Sequence, residues 1–90
     1  MGLTKTAAMD YAKRGIRINA VCPGFTHSEM VESFQESNPK DFDRGILPRI
    51  PMGRVADTRE VTSAVLWMLS DEASFMTGQA IVPDGGWTAT

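Results

Sequence analysis

Apolar side chains along this chain fall into three patterned stretches separated by one long irregular one. Leu3, Ala7, Ala8 and Tyr11 stand at i, i+4, i+5 and i+8, one stripe at a near-helical period, and they predict a helix over residues 3–14. Gly15 after the basic pair Lys13-Arg14 is a regular stop signal. Met1 and Gly2 lead into this helix without a capping side chain, so 1–14 reads as the end of a longer helix. Ile16 to Val21 then alternates in the manner of a strand, placed over 16–22, and Pro23-Gly24 ends it.

Residues 23–56 carry Pro39, Pro48 and Pro51 with Gly45 and Gly53 between them. Short helices are expected around Met30 to Glu36 and around Phe42 to Ile46. A stretch this long with so little regular structure is often a functional lid. Asp57-x-x-Glu60 forms a capping box, in which each side chain serves a free backbone N–H at a helix start. Val61, Ala64, Val65, Met68 and Leu69 follow at i, i+3, i+4, i+7 and i+8, so a helix is expected over 58–70. Gly78 opens the apolar run Gln79 to Val82, a final strand over 78–82, and Pro83-Asp84-Gly85-Gly86 turns the chain into a tail at 83–90.

Two strands joined through a helix form a parallel crossover in an α/β arrangement. Two strands do not make an independently stable sheet. The expectation is therefore a single partial domain over 1–90, a portion of a larger sheet. Size agrees, because the chain has 90 residues and most domains run to about 100–150.

Composition narrows the function classes. Nine basic against eleven acidic residues leave a net charge of −2, with no basic excess for nucleic acid. No apolar run approaches the roughly 20 residues of a membrane span, and the start lacks the apolar stretch of a signal peptide. A single cysteine, Cys22, excludes an internal disulfide. These features together read as a cytoplasmic protein.

Four motifs in order then carry a resemblance. Gly2-Leu3-Thr4-Lys5-Thr6-Ala7-Ala8 comes first, followed by Gly15-Ile16-Arg17-Ile18-Asn19-Ala20-Val21-Cys22-Pro23-Gly24. Pro51-Met52-Gly53-Arg54 precedes the capped helix, and Leu69-Ser70-Asp71-Glu72-Ala73-Ser74-Phe75-Met76-Thr77-Gly78-Gln79 leads to Asp84-Gly85-Gly86. Across essentially its whole length the chain resembles the short-chain dehydrogenase/reductase family. The resemblance implies the C-terminal portion of a Rossmann-type, doubly wound parallel sheet: its last two strands, their helices and the substrate lid. It also implies NAD or NADP as cofactor, a small alcohol or carbonyl substrate, and a homo-oligomer whose interface includes the final helix and strand.

Family members are about two and a half to three times longer, as a single α/β domain usually is. They carry a glycine-rich turn for the cofactor pyrophosphate, a serine and a Tyr-x-x-x-Lys pair. None of these lies within the 90 residues. Tyr11 has Gly15 four positions on, so it is not that pair, and its place on the apolar stripe leads to the expectation of a core or helix-packing role. No catalytic residue is assigned, and the chain alone is expected to be inactive, or else to persist as a self- or hetero-association module.

By position, the resemblance places Pro23, Gly24, Phe25 and Thr26 in the turn that folds over the nicotinamide. Thr26 stands where relatives usually have an aliphatic residue. Ser28 stands where a threonine hydroxyl usually meets the carboxamide or phosphate. Read from spacing alone, Pro23-Gly24 is equally an ordinary turn, with Ser28 capping a helix from Glu29 to Gln35. Met30 and Phe34, with Val31, Phe42, Ile46 and Leu47, either line a substrate pocket or pack the lid onto the sheet. Arg44, Arg49 and Arg54 suit a solvated or inter-subunit face. Cys22 suits a small apolar residue at a strand end, and His27 has no partner at metal-ligand spacing.

Overall fold

The computed structural model describes all residues from 1 to 90. Helix α1 spans Gly2–Tyr11 and tightens into a 3-10 turn at Ala12–Arg14. Strand β1 is Ala20–Val21; helix α2 is Glu29–Ser37; a short helix α3, Pro39–Asp41, widens into a π-helical turn over Phe42–Ile46. Helix α4 covers Thr58–Leu69, and strand β2, Ala80–Ile81, precedes a closing 3-10 turn at Trp87–Ala89.

The two strands pair in parallel, with Ala20 opposite Ala80 and Val21 opposite Ile81. Both are much shorter than the expected 16–22 and 78–82. Side chains interrupt the ladder at its lower end: Thr77 Oγ1 accepts the Ile18 N–H at 3.2 Å, and Asn19 Oδ1 accepts the Gln79 N–H at 3.0 Å. At the upper end, single bonds continue the pairing from the Cys22 N–H to Ile81 (2.9 Å) and from the Gly24 N–H to Pro83 (3.2 Å). Arg17 turns out of the strand altogether. Its guanidinium donates to the carbonyls of Met68 (2.8 Å) and Ser70 (3.1 Å) at the end of α4 and to that of Met76 (3.4 Å) beyond it.

Helix α4 starts on the capping box. The Asp57 side chain accepts from Arg59 at 3.2 Å, and Glu60 accepts the Asp57 N–H at 2.9 Å. Of its apolar stripe, Met68 is buried and Val61, Ala64 and Val65 are half-buried, but Leu69 is 74% exposed. The stripe of α1 fares worse. Ala8 is buried, whereas Leu3 is 85% exposed, and Tyr11, expected in a core or helix-packing role, lies at the surface of this chain with the Arg14 guanidinium 5.4 Å from its ring centroid.

Only Ala8, Phe42, Ile50, Val55, Met68 and Ala73 are buried. The radius of gyration is 16.0 Å, against about 12 Å for a compact domain of this length. Apolar periodicity built these helices, yet within the chain much of each stripe has nothing to cover it.

Candidate functional site

The two parallel strands end side by side, and the segments that leave them frame a concavity of about 700 Å³. One wall is the turn Cys22–Thr26 with Ser28; the opposite wall is Val82, Asp84, Trp87 and Thr88; Met30 and Val31 of α2 close one side. All five of the cofactor-site residues expected from the sequence, Pro23, Gly24, Phe25, Thr26 and Ser28, lie on it together, as does Met30.

Close approach of backbone sets this geometry. A Cβ on Gly24 would stand 2.9 Å from the Asp84 Cα, so the turn and the tail meet only because residue 24 has no side chain. Thr26 gives its hydroxyl to the Gly24 carbonyl at 3.1 Å, which tightens the turn from within. Beyond it, the Ala56 N–H donates to Phe25 and the His27 N–H to Ala56, both at 2.9 Å, fastening the loop to the foot of α4.

Ser28 caps α2: its oxygen accepts the Val31 N–H at 3.2 Å. The same hydroxyl donates to no protein group and sits on the wall of the concavity. A cap uses the oxygen's lone pair and a ligand would use its proton, so the two roles read from the sequence are compatible.

A second cavity, about 240 Å³, adjoins the first through the shared residues Phe25, Met30 and Val31. Phe34, Phe42 and Ile46 complete it, and Phe34 and Phe42 rings lie 6.5 Å apart. Met30 and Phe34 therefore face a common space, with Phe42 buried behind them. Leu47, grouped with them from the sequence, is half-buried and does not line it.

The tail supplies parts that periodicity did not reveal. Asp84 accepts from the Gly86 N–H (2.9 Å), the Thr88 N–H (2.9 Å) and the Thr88 hydroxyl (2.7 Å). The Thr88 hydroxyl foremost, and then its N–H, hold the Asp84 carboxyl below its usual range. This turn presents the Trp87 ring 5.4 Å from that of Phe25, with the Arg49 guanidinium 4.9 Å from the indole centroid. Asp84-Gly85-Gly86, with Thr88 two residues further on, was the available signal for the turn; nothing in the apolar pattern marked Trp87.

Arginine positions also separate. Arg54 makes a two-pronged ion pair with Glu60 at 2.7 and 2.8 Å, while Arg49 lies on Trp87. The Arg54 hydrogen bonds foremost, with the Asp57 N–H adding to them, lower the Glu60 carboxyl to about 2. Cys22 is exposed on the concavity, and His27 Nδ1 is 4.0 Å from Glu32 at the surface. No three His, Cys, Asp or Glu side chains gather at metal-binding distance. No helix is long and apolar enough to cross a membrane.

Parallel strands with a concavity beyond their carboxyl ends are the ligand-binding end of a doubly wound α/β sheet. The chain is part of such a Rossmann-type sheet. A family model described as enoyl-(acyl carrier protein) reductase matches residues 1–88. An uncharacterized oxidoreductase of Thermotoga maritima is 46% identical over 91 residues, covering 99% of this chain and 36% of its own. Among solved structures, 4-hydroxyisoleucine dehydrogenase complexed with NADH superposes with a TM-score of 0.90 at 36% identity, covering 99% of this chain and 36% of that one. ElxO with NADP bound gives 0.86 at 32% identity, again over 99% of this chain and 36% of that one. This chain belongs to the short-chain dehydrogenase/reductase family. It spans about a third of the length of the relatives it matches, 36% for the first of them.

Proposed function

We propose that the chain forms the nicotinamide-side wall and the substrate cover of an NAD- or NADP-dependent oxidoreductase that interconverts an alcohol and a carbonyl. The observation that carries this reading is the concavity beyond β1 and β2, with an uncommitted Ser28 proton on its wall. The residues present fit that end of the cofactor. Gly24 brings backbone to the surface, Phe25 and Val82 supply an apolar floor, and Ser28 has a donor for a carboxamide or phosphate oxygen. When bound, the nicotinamide supplies the hydride chemistry. The chain's own residues orient the ring through Pro23–Thr26 and Ser28, while Met30 and Phe34 keep water from the substrate.

Acid–base transfer is outside this chain's means. No tyrosine–lysine pair is present, and a tyrosine needs such a neighbour to bring its pKa down from about 10. The 90 residues alone therefore bind without turning over. A Trp67→Phe background leaves Trp87 as the sole tryptophan, so NADH titration should show saturable quenching with amide shifts at Phe25 to Ser28. No shift there would overturn the site, and NADH formation from a panel of simple alcohols would overturn the inactivity.

Exposed apolar side chains favour a second role, self-association or pairing with a longer relative. Leu3, Met9, Leu66, Leu69 and Phe75 are all more than half exposed, apolar surface that a contact would cover. Light scattering tests this, and a monodisperse monomer with slowly exchanging strand amides would dismiss it. The unpaired Cys22 thiol suits a reducing, cytoplasmic setting.

A further inference from the structure

The smaller cavity differs from the larger in chemistry, and the difference bears on what the site accepts. Its six lining residues, Phe25, Met30, Val31, Phe34, Phe42 and Ile46, are all apolar. No lysine or arginine lines either cavity. The one carboxylate on the larger cavity, Asp84, is engaged by Gly86 and Thr88, and the first turn of α2 adds the acidic Glu29 and Glu32. The side chains that line the two cavities are thus negative or neutral, and the nearest cation shown, the Arg49 guanidinium, lies over the Trp87 ring of the larger cavity's wall.

Size sets a limit. A dry apolar cavity of about 150 Å³ holds a benzene ring. One of about 240 Å³ accommodates a chain or ring of roughly six carbons on that scale. Phe25, Met30 and Val31 belong to both cavities, so a ligand that reaches past them has one end beside the Pro23–Ser28 turn and the other between Phe34 and Ile46. An unpaired carboxylate carried into the second space would lose its hydration without gaining a cation.

From this we propose that the space between α2 and the π-helical turn is a specificity subsite for an uncharged apolar group of about six carbons, attached to the carbinol or carbonyl carbon, and that it rejects carboxylates. Phe34, half-exposed at its mouth, determines the depth. The inference rests on the nicotinamide-wall reading for which end of the ligand reacts, but the subsite itself is built by the lid together with Phe25.

Methyl and amide NMR on the 90-residue chain, with 1-hexanol and hexanoate as probes, separates the two. Hexanol should move the Met30, Val31 and Ile46 methyls saturably and leave those of Val61 and Val65 in place. Hexanoate should bind at least about tenfold more weakly, a difference of about 1.4 kcal/mol. Phe34→Trp should fill the space and weaken hexanol at least about fivefold, whereas Phe34→Leu, the gentler change, should preserve binding. Equal affinity for hexanoate, or a Phe34→Trp chain that binds hexanol as before, would overturn the subsite. So would a dispersed spectrum that neither probe shifts. NADH, followed at the Thr26 and Val82 amides, reports the nicotinamide wall independently, so a failure there leaves the hexanol result standing and the reverse holds equally.

Discussion

The two ends of this molecule are organised by different physics. At the carboxyl ends of the strands, three segments remote in sequence brace one another. Gly24 lies against Asp84, Gly85 lies under Ile50, and the Met52 N–H donates to the Gly85 carbonyl at 3.0 Å. Arg54 ties the end of the lid to the cap of α4. Around α1 and the outer side of α4, in contrast, Leu3, Met9, Leu66 and Leu69 meet solvent. One end is closed by glycine geometry and hydrogen bonds that the chain satisfies by itself. The other depends on apolar faces, and a face is completed only by a partner surface. The lesson is that short-range polar geometry makes the binding end self-sufficient where the apolar pattern cannot.

Substitution at the braced end should have the largest effect. Gly85 has φ +65°, and an added Cβ would meet Ile50 Cγ2 at 2.9 Å. Gly85→Val combines a left-handed backbone with overpacking, so a loss on the order of 3 kcal/mol is expected, read from urea unfolding and from faster exchange of the Met52 amide. A variant as stable as the parent would show that the junction is looser than its geometry. Arg17→Leu comes next. It strips a charged donor from three carbonyls, at a cost of about 2 kcal/mol, and the amides at the end of α4 should exchange faster while those of α2 do not.

Ser28 distinguishes capping from binding. Ser28→Ala should weaken α2 by about 1 kcal/mol, and in a full-length enzyme it should cost about 0.5–1.5 kcal/mol of nicotinamide affinity, the worth of one hydrogen bond. Ser28→Asn retains a cap, so helix protection that recovers without cofactor affinity, by calorimetry, would separate the roles. Full recovery of both, or unchanged affinity in Ser28→Ala, would reduce Ser28 to a cap.

The Arg54–Glu60 pair predicts a pH dependence. The folded chain lowers the Glu60 carboxyl from 4.5 to about 2, so the pair's stabilisation is fully present above about pH 4.5 and is lost as pH falls towards 2. Arg54→Ala should return the Glu60 titration, followed by carboxyl NMR, towards the ordinary range. Because both side chains are largely exposed, the stability change is small and weakens with salt. The smallest intrinsic effect belongs to the uncovered end. Phe75 is fully exposed, so Phe75→Ser should alter unfolding of the monomer by no more than about 0.5 kcal/mol while reducing light scattering. A large loss of monomer stability would mean that this end is not waiting for a partner.

Local rules were enough for much of this protein. The capping box at Asp57 and Glu60 and the 3.6-residue period placed α4, the Pro23-Gly24 and Asp84-Gly85-Gly86 turns ended both strands, and motif order named the family. Each depends on residues within a few positions of one another, where the chain's own geometry limits the outcome. Tertiary structure decided the rest. Whether Tyr11 and Leu69 would be buried depended on surfaces their own helices do not contain. Arg17 left its expected strand to reach carbonyls more than fifty residues away. Trp87 became a wall of the site only when the tail's turn carried it to Phe25 and Arg49. Periodicity states which face of an element is apolar, but the partner across the gap is a property of the fold.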